Sequence, residues 1–82
     1  MTTIEAKTKG TKTAYAVIGH AVKELMRAAG FSRLEDVLLI MQARKNDDGS
    51  LVIYTTDDCM GRIVAQAVEK KFPKASIKVE ET

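Results

Sequence analysis

The chain predicts a single small α+β domain in the order α-β-β-α-β, with two helices on one face of a three-stranded sheet. Two stretches, 15–29 and 60–72, space their apolar residues by three and four, the period of a helix with one buried face. A turn-forming run, Asn46-Asp47-Asp48-Gly49-Ser50, leads into the β-branched and aromatic Leu51-Val52-Ile53-Tyr54-Thr55-Thr56. Eighty-two residues leave room for one thin core and no second domain.

Residues 1–12 read as a flexible basic arm ahead of a folded unit at 13–82. They mix Thr, Lys and Gly with little apolar content, and Gly10 interrupts a nascent helix. Thr13 is the expected N-cap of the first helix, whose apolar stripe is Tyr15, Ile18, Val22, Leu25, Met26 and Ala29. His20, Lys23, Glu24 and Arg27 occupy the other side. Gly30 stops this helix, and Phe31 closes back on Met26 as in a Schellman cap.

Residues 32–45 carry two signals. Ser32 and Glu35 form a capping-box pattern, and Leu34, Val37, Leu38 and Met41 suit a helical stripe. The unbroken run Val37-Leu38-Leu39-Ile40-Met41 and the turn at 46–50 favour a strand instead. A strand at 51–56 needs a neighbour, so the expectation is a hairpin of 37–44 with 51–56, preceded by one turn at 32–36. Asp57 or Thr56 caps a second helix with Met60, Ile63, Val64, Ala67, Val68 and Phe72 inward, and Pro73 ends it. Ala75, Ile77 and Val79 then alternate with charged residues as a short last strand.

Composition narrows the function classes. Apolar residues make up 45% and charged residues 29%, which excludes a wholly disordered chain. A single Cys excludes a disulfide framework and a Cys-cluster metal site. The five-residue apolar run is far too short to span a bilayer, and Met1-Thr2-Thr3-Ile4-Glu5 has no signal-peptide character, so the expected setting is soluble and cytoplasmic.

No catalytic set emerges. Cys59 lies in the first turn of the second helix, where a helix terminus activates a thiol, but Asp57 and Asp58 oppose that field. Its place beside Met60 and Ile63 reads as core packing. His20 sits four residues before Glu24, an ordinary helical pair, with no partner for a dyad. One His, one Cys and scattered carboxylates lack metal-ligand spacing, and the isolated glycines begin no phosphate loop. Asp47-Asp48-Gly49-Ser50 lacks the alternating ligands of a calcium loop. Gly19, inside the first helix, is tolerated or marks a close approach. The expectation is therefore no enzyme, no cofactor and no metal.

What remains is surface. If 46 opposes 50, Arg44 opposes Val52, Gln42 opposes Tyr54 and Ile40 opposes Thr56, and these residues share a face with Leu38. Leu39, Met41, Ala43, Leu51 and Ile53 share the other face, under the helices. Leu38, Ile40, Val52 and Tyr54 would be wet in a monomer, so Leu38, Ile40, Gln42, Arg44, Val52 and Tyr54 form the expected partner or homodimer interface of a regulatory binding module. The alternative is nucleic-acid binding through Lys7, Lys9, Lys12, Lys23, Arg27 and Arg33, with Tyr54 and Arg44 as a stacking platform. A third reading places a small ligand at a dimer cleft.

Overall fold

A computed structural model of the chain describes residues 1–8, 11–48 and 50–81. Lys9, Gly10 and Gly49, each given a role above, lie outside the described residues. The elements run β1 (Thr2–Lys7), α1 (Thr11–Ala29), α2 (Leu34–Leu38), β2 (Met41–Lys45), β3 (Ser50–Thr55), α3 (Asp58–Lys71) and β4 (Ser76–Glu81). The sheet is antiparallel and four-stranded, not three-stranded, in the order β2-β3-β1-β4.

The extra strand is the segment expected to be a mobile arm. Residues Thr2–Lys7 pair with β3 on one side and β4 on the other, at the centre of the sheet. Thr2, Ile4 and Ala6 alternate inward and are fully buried. Composition misled here because the strand carries only two apolar residues of its own. Two flanking strands satisfy its backbone on both edges, and pairing of that kind overrides a weak local signal.

Helix α1 begins at Thr11, so Thr13 lies within it and does not cap it. Its buried row is Ala14, Val17, Ala21 and Leu25, while Tyr15 is 67% exposed. The stripe is rotated from the expected one, with Ile18, Val22 and Met26 partly buried beside this row. The C-terminus is as expected. Gly30 takes φ +73°, and the Phe31 N–H donates to the Met26 carbonyl at 2.9 Å.

Helix α2 occupies 34–38, overlapping the turn expected at 32–36 and the first two residues of the strand expected from 37. Arg33 is its N-cap residue without a side-chain cap, so the Ser32 box is not formed. The strand cannot start at 37 because β3 ends too soon to pair with it. The last hairpin contact is the Thr56 N–H to the Ile40 carbonyl at 3.0 Å, after which Asp57 turns the chain into α3. Freed from the ladder, 34–38 coils and buries Val37 alone. The register itself is the expected one, with Arg44 opposite Val52 and Gln42 opposite Tyr54. Asp48 ties the turn by accepting from the Ser50 N–H at 2.9 Å and the Ser50 hydroxyl at 2.6 Å.

Asp57 caps α3, its carboxylate accepting from the Met60 N–H at 3.0 Å. The face turned to the sheet is Gly61, Val64, Ala65 and Val68. Ile63, placed in the stripe by sequence, is 38% exposed. Cys59 is exposed, not packed. Two residues before Gly61 is roughly 200° around the helix, away from the sheet. Gly61 is where α3 comes closest. A Cβ there would meet Thr2 Cβ and Thr55 Oγ1 at 2.5 Å. One core joins α1, α3 and the inner residues of β1 and β3, with Ile4, Leu25, Leu51, Ile53, Val64 and Val68 fully buried.

Candidate interaction surface

Strand pleat assigns every sheet residue a side. Thr3, Glu5 and Lys7 of β1 share the open face with Gln42 and Arg44 of β2, Val52 and Tyr54 of β3, and Lys78 and Glu80 of β4. That face is chiefly polar. Val52, expected to be wet, is only 3% exposed. Its cross-strand neighbours Glu5 and Arg44 flank it, and long side chains cover apolar surface with their stems. Arg44 lies over the Tyr54 ring at 6.0 Å and donates from Nη2 to the Tyr54 hydroxyl at 3.4 Å. The open face thus holds Gln42, Arg44, Val52 and Tyr54 as expected, without an apolar patch on it.

The apolar exposure lies at a corner. Leu34, Leu38 and Leu39 are 54%, 61% and 77% exposed, projecting from α2 and the turn that follows it. Leu39 was expected beneath the helices, but a turn at 39–40, not a strand, carries it outward. Ala43, also expected inside, is exposed on the edge strand β2. Leu38, Leu39 and Ile40 line a shallow cleft of about 320 Å³ with Met1, Gln42 and Tyr54. It opens beside β2, an edge of the sheet. Sequence reasoning found Leu38, Ile40 and Tyr54 and missed Leu34, Leu39 and Met1. The capping-box pattern at Ser32–Glu35 was the available sign that this stretch would be helical.

The proposed nucleic-acid cations do not form one surface. Lys7 sits on the open sheet face, whereas Lys12, Lys23 and Arg27 are exposed on α1, in the layer across the sheet. Arg27 meets Glu24 at 3.6 Å and Arg33 meets Glu35 at 2.9 Å. Lys9 lies outside the described residues.

Nor do the reactive side chains converge. His20 packs edge-on against Phe72, ring centroids 6.0 Å apart. Phe72 ends α3 and Cys59 begins it, a span of about 20 Å along the helix. The charged contacts tie the fold together. Arg62 grips Glu81 at 2.6 and 2.9 Å, joining α3 to β4. That contact lowers the Glu81 acid and raises the Arg62 base. Asp58 accepts from the Thr2 hydroxyl at 2.7 Å and meets the Met1 ammonium at 3.1 Å. The Thr2 bond first, and then the ammonium, hold its carboxyl below the usual range. Among the described residues no group of three His, Cys, Asp or Glu could hold a metal ion, and no helix is long and apolar enough to cross a membrane.

No family model matches this chain, and no curated protein matches it. Among solved structures it is similar to a de novo designed protein with ferredoxin fold, known from a solution NMR structure. The TM-score is 0.53 at 11% sequence identity, covering 96% of this chain and 80% of the designed one. At that identity the likeness concerns fold alone: the architecture is ferredoxin-like.

Proposed function

We propose that this domain is a non-enzymatic interaction module that pairs with a second copy of itself through the corner where α2 meets β2. The observation that carries the reading is the exposure of Leu38 and Leu39 in one cleft with Ile40 and Tyr54, with Leu34 exposed one helical turn before Leu38. A contiguous apolar patch on so small a domain marks a contact surface. The charges around it favour self-pairing. Asp36, beside the Arg33–Glu35 pair, precedes Leu38 and Leu39, and Arg44 and Lys45 follow them. A two-fold axis through the leucines apposes the acidic flank of one copy to the basic flank of the other.

The magnitude sets an affinity range. Covering the exposed part of three leucines in each copy, at about 2 kcal/mol per whole side chain, yields roughly 7 kcal/mol before costs. Association costs about 4 kcal/mol or more, which leaves about 3 kcal/mol, so the dimer is millimolar or weaker. Arg44 and Lys45 on the edge strand discourage open-ended strand addition, which keeps the assembly closed.

Sedimentation equilibrium across a concentration series tests this. Wild type should dimerise, Leu38→Glu and Leu39→Glu should each remain monomeric, and Tyr15→Glu, exposed on α1 far from the corner, should dimerise as wild type does. Val52 is no use as a probe because it is buried. A wild-type chain with no detectable dimer at concentrations of several millimolar overturns the reading.

A further inference from the structure

Strand β4 is the edge of the sheet away from the leucine corner, paired with β1 on one side and with no strand on the other among the described residues. The pleat sends Ile77, Val79 and Glu81 to the helix side and Lys78 and Glu80 to the open face. Ile77 is half-buried, Val79 is 37% exposed, and Glu81 is held by Arg62. An unpaired edge is a template for another strand, and proteins block it with a proline, a bulge or a charge pointing inward. Strand β4 has none of these in working form. It contains no proline, and its register with β1 runs unbroken from Ser76 to Glu81. Its one charge on the helix side, Glu81, is neutralised by Arg62 at the end of the strand. The opposite edge, β2, places Lys45 on the helix side and Arg44 on the open face.

A second copy of β4 fits this edge poorly. With the two-fold axis at Val79, Lys78 of one copy meets Glu80 of the other, but Ile77 meets Glu81. With the axis at Lys78, Ile77 meets Val79, but the two Lys78 ammonium groups face each other. Axes further along pair fewer residues, so no register of self-pairing suits both faces. A foreign strand is not bound by that conflict. Running antiparallel, it needs a basic residue opposite Glu80, an apolar one opposite Val79, an acidic one opposite Lys78 and an apolar one opposite Ile77. On its inner side β4 already has three of these four, with Ile4, Glu5 and Ala6 of β1 opposite Val79, Lys78 and Ile77. We propose that the free edge of β4 adds an extended segment of a partner protein reading basic, apolar, acidic, apolar. Main-chain hydrogen bonds hold the segment, and the alternating side chains select it. Lys78 and Glu80 meet each other at 3.1 Å, an exposed contact that is weak and exchanges readily for cross-strand partners. The charges therefore set register and direction more than affinity.

Three capped peptides titrated into the full chain and followed by amide chemical shifts test the proposal. The first has the core Lys-Val-Glu-Ile, the second the charge-swapped core Glu-Val-Lys-Ile, and the third is the first N-methylated at Val and Glu, which removes a donor from each edge. The first should give saturable shifts along Ser76–Glu81, the second should bind about fivefold more weakly, and the third should be silent. The double variant Lys78→Glu with Glu80→Lys should reverse the preference between the first two. Both residues are exposed, and thermal unfolding checks that the variant folds. Absence of saturable shifts, shifts centred on β2, binding of the N-methylated peptide, or indifference to charge order in both proteins overturns the proposal. Strands β2 and β4 are opposite edges of the sheet, so Leu38→Glu should bind the first peptide as wild type does. Loss of binding in Leu38→Glu would place the peptide at the corner and overturn the proposal, whereas failure of the corner dimer leaves the β4 edge standing.

Discussion

Two glycines inside helices should respond oppositely to the same substitution. At Gly61 an added Cβ would stand 2.5 Å from Thr2 Cβ and from Thr55 Oγ1, where ordinary contact begins at 3.4 Å. Neither neighbour can give way cheaply. Thr2 and Thr55 are both fully buried on adjacent central strands, and Thr55 donates to the Asp57 carbonyl at 3.3 Å. Helix α3 must therefore back off the sheet by about 0.9 Å, loosening the packing of Val64 and Val68 behind it. Overpacking of this kind costs about 3 kcal/mol, and the better helix propensity of alanine returns about 1. Gly61→Ala should thus lose about 2 kcal/mol net from a total of roughly 4–12, a fall in Tm of about 8–16 °C. Gly19 has nothing within 4 Å of its Cβ position, so Gly19→Ala keeps only the propensity term and should gain about 1 kcal/mol. Thermal and urea unfolding of both variants read the contrast directly. A Gly61→Ala protein as stable as wild type would falsify the close approach of α3 to β1.

Deleting residues 1–7 should abolish folding, seen as loss of cooperative unfolding by circular dichroism, because β3 and β4 then have no strand between them. A truncated protein that still unfolds cooperatively would mean the segment is an arm after all. Cys59→Ala should change stability by less than about 0.5 kcal/mol, and a thiol reagent should label the native protein at the rate of an accessible cysteine. Labelling that waits for unfolding would place the thiol inside. Asp58 has its folded acid constant depressed, chiefly by the Thr2 hydroxyl, so its contribution is present above the ordinary value of 3.8 and lost as pH falls through the lower folded value. The Tm of wild type should therefore drop more steeply on acidification below about pH 3.8 than that of Asp58→Asn. Parallel acid limbs would show that the Thr2–Asp58 contact does not form in solution.

Local chemistry determined a large part of this protein. Gly30 ends α1 and Asp57 starts α3 because caps act within a few residues of the chain. The Asn46–Ser50 closure sets the hairpin register, since a pleat of period two leaves each side chain only two choices of face. Single-domain α+β character followed from length and periodicity. Other features depended on groups distant in sequence. Thr2–Lys7 is a central strand because β3 and β4 satisfy both of its edges, and its own signal, the alternation of Ile4 and Ala6 with Glu5 and Lys7, is too short to announce that place. Val37 and Leu38 are helical because β3 runs out of partners opposite them, which turns three leucines outward at a corner instead of laying them on the sheet. Gly61 reads as a poor helix residue until Thr2, 59 positions earlier in the chain, is brought beneath it. The cleft at the leucine corner belongs to the same category, because it gathers Met1, Leu38, Leu39, Ile40 and Tyr54 from separate segments at one end of the sheet. Caps and turns act within four or five residues and are written in the sequence, whereas burial and convergence are set by which strands meet, and tertiary structure alone decides that.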